Sequence, residues 1–179
     1  MYYKEFRGNR ISALGLGSLR LPTVSGNTSS IDRAKAMEVI DQAFTEGINF
    51  FDTAFTYHKT DSETFLGEAL SRYPRDSYYL SSKFYVGART DLDHVFEEQL
   101  ARCQTEYFDF YMLHCVQEQF LDDYTDPARD YIGYLLRQKE AGRIRYLGFS
   151  SHAAPEGLEK FLQWYPGFDM ALIQLNYLD

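Results

Sequence analysis

Apolar positions along this chain recur with two periods, and the switches between them mark its elements. Three short runs read as strands: Ile48-Asn49-Phe50-Phe51-Asp52, Tyr78-Tyr79-Leu80-Ser81-Ser82-Lys83 and Phe108-Asp109-Phe110-Tyr111-Met112-Leu113-His114. Before, between and after them apolar residues return every three to four positions, the period of a helix with one buried face. The first such stretch uses Ala34, Met37, Val39, Ile40, Ala43 and Phe44, with Ser30 as N-cap and Gly47 as the stop. A second, near 61–72, uses Phe65, Leu66, Ala69 and Leu70 and closes at Pro74; a third, near 91–104, uses Leu92, Val95, Phe96, Leu100 and Cys103. Helices near 126–141 and 155–164 then alternate with strands at 144–149 and 171–175. Ahead of all this, Lys4–Arg7 and Ile11–Leu14 flank Gly8-Asn9 as a two-strand ribbon, a strand runs over 13–17, and 22–30 is loop.

Six strands alternating with five helices imply parallel strands joined by right-handed crossovers. A doubly wound sheet and a (β/α) barrel both satisfy that pattern. Polar residues decide between them. Strands two, three and four end in Asp52, Lys83 and His114, and the fifth ends in Ser150-Ser151-His152. A barrel collects its site from many strand ends, whereas a doubly wound sheet collects it at one switch point. The expectation is therefore a single domain over 1–179 of the parallel TIM-barrel type, opened by an N-terminal β-hairpin. A closed barrel takes eight strands and about 250 residues, so about six of the eight strands are present. The first and sixth strands would then offer unpaired apolar edges, which a homo-oligomer or a completing chain would cover.

Composition narrows the function. A chain of 179 residues that is 45% hydrophobic buries a substantial core. Net charge of −8 and a pI of about 5.0 disfavour nucleic acid and anionic membrane as partners. No apolar stretch approaches the roughly 18 residues of a membrane span, and the N-terminus lacks an apolar signal core. Cys103 and Cys115 have no framework spacing, so a cytoplasmic setting is expected. His58, His94, His114 and His152 are scattered without zinc-site spacing, and no metal is expected.

The candidate chemistry lies in the spacing. Asp52, Lys83 and His114 stand 31 positions apart, at 52, 83 and 114, close to the length of one strand–helix–strand step. Parallel strand ends face one crevice, so an acid, an ammonium and an imidazole converge there. Singly, each has a plainer reading: a helix N-cap, a solvated lysine, a hydrogen-bonded core histidine. The joint pattern favours a site.

Gly47-Ile48-Asn49-Phe50-Phe51-Asp52-Thr53-Ala54-Phe55-Thr56-Tyr57, followed by Glu63 and Leu66-Gly67, resembles the signature of the aldo/keto reductase superfamily. Ser82-Lys83 and Leu113-His114 match the positions of that family's other catalytic side chains, and the likeness runs from the opening ribbon to Ile173-Gln174-Leu175-Asn176. Arg20-Leu21-Pro22 and Gly148-Phe149-Ser150-Ser151-His152 are most similar to a bacterial or archaeal branch, whose members often carry an iron–sulfur module after the barrel. The resemblance implies an oxidoreductase that reduces a small carbonyl compound to an alcohol.

The residues suit that chemistry. Hydride addition to a carbonyl creates an alkoxide that needs a proton. Tyr57 can donate it, but a phenol with a pKa near 10 is a weak acid, and a neighbouring cation makes it stronger. Lys83 is that cation, Asp52 holds it, and His114 orients the carbonyl or shares the proton. The family gives the matching residues these roles. The hydride must come from a nicotinamide cofactor, because no side chain offers one.

Gly15-Leu16-Gly17 lacks the third glycine of a dinucleotide fingerprint and opens no helix, which argues against a Rossmann site. By resemblance, Gly17 and Ser18 lie along the cofactor's ribose, with Asp52 beside them. Ser150, Ser151 and Gln174 match positions that bind the nicotinamide carboxamide. NADP(H) is the cofactor the family implies, although its stacking aromatic and basic phosphate loop follow strand six. Gln117, Glu118, Phe120 and Tyr124, in the loop from Val116 to Pro127, are candidates to line the pocket, and surface solvation explains them equally well. The alternative reading is an interaction protein that keeps an idle site on this scaffold.

Overall fold

In the computed structural model of the chain, residues 1–25, 27 and 29–174 are described. Tyr3–Phe6 (β1) and Asn9–Ser12 (β2) pair antiparallel around Arg7 and Gly8, both at positive φ. Six further strands form one parallel sheet: Leu16–Gly17 (β3), Phe50–Asp52 (β4), Tyr79–Phe84 (β5), Phe108–Val116 (β6), Ile144–Ser151 (β7) and Met170–Ile173 (β8). Their order across the sheet is their order in the chain. A doubly wound sheet would reverse at a switch point. Steps that all run one way, with right-handed crossovers, put every helix on one face and curl the sheet into part of a barrel. The fold is an incomplete (β/α) barrel with an N-terminal hairpin, as the strand-end residues suggested.

The helices are Arg33–Thr45 (α1), Asp61–Leu70 (α2), Leu92–Arg102 (α3), Leu121–Thr125 (α4), Tyr131–Glu140 (α5) and Pro155–Trp164 (α6). Helix α1 buries Ala36, Ile40 and Ala43, one stripe at helical spacing, and leaves Val39 exposed. Its N-cap is Asp32, whose carboxylate accepts from the Lys35 amide at 3.3 Å, rather than the expected Ser30. Ile31 is buried and bridges to Thr23, which delays the helix. Gly67 lets α2 meet the end of α3 closely, since a Cβ there would lie 2.5 Å from the Arg102 carbonyl oxygen.

Strand β6 is buried from Phe108 to Leu113 because both its faces are covered there. Tyr111 and Leu113 belong to the core under the helices, while Phe110 and Met112 point to the concave side. There Phe110 is ringed by Phe6, Phe50 and Tyr146 at centroid distances of 5.5, 5.2 and 5.1 Å. The hairpin closes the amino-terminal end of the sheet. Arg7 reaches Asp169 at 2.7 Å, and Asn9 donates to the Tyr146 hydroxyl at 2.5 Å. At the same end the wholly buried Asp109 takes Arg75 and Arg145, each at 2.7 Å, and the Leu80 amide at 2.9 Å.

Several boundaries differ from expectation. Strand β3 spans two residues instead of five, because Ser12 turns back to bond Leu14 O at 2.8 Å and Gly15 packs against Phe50. Between β6 and the next long helix α4 forms over Leu121–Thr125, and α5 starts at Tyr131 rather than near 126. The expected strand end at Leu175 lies outside the described residues. Among the described residues, no helix is long and apolar enough to cross a membrane.

Candidate active site

All the residues singled out for chemistry lie at the carboxyl end of the sheet. Asp52 closes β4, Lys83 is next to last in β5, and His114 is two from the end of β6. Tyr57 stands five residues past Asp52, at the start of a short 3₁₀ turn. Gly17 and Ser18 follow β3, Ser150 and Ser151 close β7, and Gln174 follows β8, exposed.

Four of these come together. The Lys83 ammonium is buried, with 1% of its side chain exposed, and donates to Asp52 Oδ2 at 2.5 Å and to the Thr53 carbonyl at 2.7 Å. Its third donor points to the Tyr57 hydroxyl at 3.3 Å, and the ammonium sits 4.8 Å from the Tyr57 ring centre. A buried ammonium is tolerated only with such partners. The Tyr57 ring meets the His114 ring edge-on, with centroids 5.8 Å apart. Burial, reinforced by the nearby Lys83 charge and by His152, pushes the His114 imidazole down to about 3. The ring is neutral at any ordinary pH. Among the described residues, Asp52 Oδ1 and His114 Nδ1 are buried without a hydrogen-bond partner. Tyr85 lies against His114 at 5.8 Å and against Phe120 at 5.3 Å, forming an aromatic ledge beside it.

The remaining predicted residues are placed differently. Gly17 and Asp52 line the same concave cavity of about 560 Å³, and a Cβ on Gly17 would meet nothing within 4 Å. The Ser18 hydroxyl is wholly buried and donates to the Asp52 carbonyl at 2.9 Å. Ser62 donates to it at 2.7 Å, and Thr53 lies 2.9 Å from Ser62, so a chain of hydroxyls ends on Asp52. Ser150 Oγ accepts from the Cys115 amide at 2.9 Å and donates to no acceptor among the described residues. Ser151 Oγ donates to Val116 O at 2.9 Å and accepts from the Ala153 amide at 3.0 Å. Tyr124 is fully buried rather than pocket-lining, and the exposed Glu118 is committed to the Ala154 amide at 2.8 Å.

Around Lys83 runs a second layer built on Glu63, a residue of the signature to which the sequence assigned no contact. Glu63, wholly buried, accepts from Ser82 at 2.6 Å, from Gln99 at 2.5 Å and from Arg102 at 2.8 Å. Burial raises its carboxyl above the usual range, and the three donors oppose the shift. Gln99 also donates to the Lys83 carbonyl at 3.0 Å and accepts from Tyr111 at 2.5 Å. The available signal was a glutamine inside the apolar stripe of α3, between Val95-Phe96 and Leu100-Cys103.

Residues 13–179 match the Aldo/keto reductase family. The chain is 29% identical over 165 residues to a probable aldo-keto reductase of Glycine max, covering 86% of this chain and 45% of that protein. It is 33% identical over 153 residues to the L-galactose dehydrogenase of Arabidopsis thaliana, covering 80% and 46%. A solved thermostable aldo-keto reductase, in complex with the inhibitor epalrestat, superposes with a TM-score of 0.80 at 25% identity, covering all of this chain and 64% of that one. The chain thus spans somewhat under half the length of these two curated relatives. Strand order, strand-end residues and sequence agree: this chain belongs to the aldo/keto reductase family.

Proposed function

We propose that this site reduces an aldehyde or ketone to an alcohol, with NADP(H) as hydride source and Tyr57 as the acid. The observation that carries the proposal is the buried Lys83 ammonium, held by Asp52 and Thr53 with its remaining donor on the Tyr57 hydroxyl. When bound, the reduced nicotinamide supplies the hydride. Tyr57 gives its phenolic proton to the carbonyl oxygen as that oxygen gains charge. Lys83, already in contact, stabilises the phenolate left behind without reorganising. His114, neutral beside the Tyr57 ring, donates a hydrogen bond to the same oxygen and fixes its direction. It is not a proton source at working pH. Tyr85 and Phe120 give the carbonyl compound an apolar wall.

The residues present fit the nicotinamide end of the cofactor. Ser150, buried at the end of β7, has one hydroxyl hydrogen free for a carboxamide oxygen. Ser151 has one lone pair left for the carboxamide nitrogen. Gly17 leaves open space beside Asp52, where backbone can approach a ribose. Gln174 stands one strand over from the serines, following on from the pairing of Ile173 with Ser151.

Quenching of protein fluorescence by NADPH, read beside aldehyde-dependent NADPH oxidation, tests the proposal. Saturable binding together with turnover supports it. Absence of binding at millimolar cofactor contradicts it.

A second reading has a specific observation in its favour. The concave cavity is lined by Phe50, Phe110, Met112, Met170 and Leu172, and Ile173 at the β8 edge is 55% exposed. Bare apolar strand edges pair with other chains. In this reading the site acts only once a second copy or a completing chain covers that face. Sedimentation in solution separates the two: a stable monomer with full activity contradicts the second reading.

A further inference from the structure

Strand β6 carries an irregularity beside the candidate site. Leu113 pairs with Phe149 and Val116 with Ser151, so His114 and Cys115 together face one residue, Ser150. Cys115 adopts φ +58, the left-handed conformation expected at a bulge. The strict alternation that would place His114 and Cys115 on opposite faces is interrupted here. A bulge takes two main-chain groups out of the ladder, and buried groups of this kind must find other partners. The Cys115 amide goes to Ser150 Oγ at 2.9 Å. The His114 carbonyl goes to the Tyr124 hydroxyl at 2.5 Å.

Tyr124 does more than fill that valence. Its hydroxyl also accepts from the Val86 amide at 3.2 Å and lies 3.2 Å from the Phe84 carbonyl. Phe84 and Val86 flank the segment that leaves β5 immediately after Lys83. One phenol, wholly buried between Tyr131 and Phe161, therefore ties the strand end bearing Lys83 to the strand end bearing His114. It comes from α4, a short helix in the loop after β6, and touches neither the Lys83 ammonium nor the His114 ring by hydrogen bond.

We infer that Tyr124 is a positioning residue: its hydroxyl locks the bulge after His114 against the end of β5 and so sets the His114 imidazole relative to Tyr57 and Lys83. The inference rests on the proposed carbonyl reduction for its kinetic consequence but not for its geometry. Losing the hydroxyl frees the bulge to shift, and small misplacements of a group that orients a reacting carbonyl are costly. Ground-state binding need not suffer.

Tyr124→Phe keeps the ring and deletes only the hydroxyl. The chain has four histidines, so their ring resonances in a ¹⁵N-labelled sample form a small, assignable set. The expected result is that the His114 ring signals move or broaden while those of His58, His94 and His152 stay. With an aldehyde and NADPH, kcat falls at least about tenfold and KM stays within about twofold. Phe161→Leu, which loosens the same packing but spares the hydroxyl, leaves the His114 signals in place. Unmoved His114 signals in Tyr124→Phe, or an unchanged kcat, would overturn the inference. If the unaltered protein shows no reductase activity, the proposed function fails while the ring signals still decide the positioning role. If Tyr124→Phe does not fold, the Val86 and Cys115 amides of the unaltered chain give the answer: slow hydrogen exchange at both is expected, and rapid exchange at Val86 overturns the inference.

Discussion

Asp52 offers Lys83 one carboxylate oxygen and keeps the other unpaired. Oδ2 lies 2.5 Å from the ammonium, whereas Oδ1 is buried with no hydrogen-bond partner among the described residues. The ammonium meanwhile spends its donors on that one oxygen, the Thr53 carbonyl and the Tyr57 hydroxyl. A lysine packed this deeply loses its water shell entirely, and only a compensating anion makes the burial tolerable. In the proposed chemistry the pair therefore links stability to activity, because the charge that needs Asp52 is the charge in contact with the Tyr57 hydroxyl.

Asp52→Asn tests that link. The side chain keeps its shape and loses its charge, leaving the Lys83 ammonium uncompensated in a dry site. A loss of about 3–5 kcal/mol in unfolding free energy is expected, the usual cost of breaking a buried pair from one side. Lys83→Met, which removes the charge and keeps the apolar stem, should cost less stability and no less activity. Urea melts of the two variants make the comparison. Equal or greater stability of Asp52→Asn relative to Lys83→Met would refute the coupling.

The depressed His114 imidazole gives stability a pH dependence of definite sign. An unfolded histidine takes up a proton near 6.5, while the folded one does so only near 3. Stability from this group is present above about 6.5 and lost as pH falls toward 3, with a limiting slope of about 1.4 kcal/mol per pH unit. His114→Gln cannot titrate. The difference in unfolding free energy between the two proteins should therefore shrink steadily from pH 7 to about pH 4. A difference independent of pH across that window would contradict the burial assigned to His114.

The turn after Tyr57 is strained. His58, Lys59 and Thr60 have φ values of +48, +54 and +75, three successive non-glycine residues in the left-handed region. Each carries a penalty of roughly 1–2 kcal/mol. His58 adds a second cost, since both its ring nitrogens are buried without partners among the described residues. His58→Gly removes both burdens against the extra entropy of an unfolded glycine. A net gain of about 1 kcal/mol, or roughly 2–4 °C in Tm, is expected. Calorimetry showing a lower Tm for His58→Gly would mean that the turn is not strained as described.

Much of this site was legible in the chain because strand ends repeat at a fixed interval. Asp52, Lys83 and His114 share that interval, and parallel strands in sequential order deliver it to one rim. Lys83 and Asp52 do meet, and Tyr57 does lie in reach. The supporting layer was harder to see. Gln99, Glu63 and Tyr124 act on the main chain or on other buried groups, and periodicity carries no trace of which carbonyl a side chain will find. Tyr124 sits in a polar stretch, where pocket lining and plain surface were equally good readings. It is buried because α4 folds it under the loop, where Phe161 and Tyr131 await it. Nor does the sequence show that the Ser18 hydroxyl, expected along a cofactor's ribose, donates to the Asp52 carbonyl.

Deuterium transfer from 4-deuterated NADPH to an aldehyde, followed by mass spectrometry of the alcohol in the unaltered chain and in Tyr57→Phe, tests the proposed chemistry most directly. The expected result is label at the carbinol carbon with the unaltered chain and a loss of at least about 100-fold in rate with Tyr57→Phe, the weight of a positioned general acid. Label transferred at equal rates by both proteins, or by neither while the cofactor binds, would contradict it.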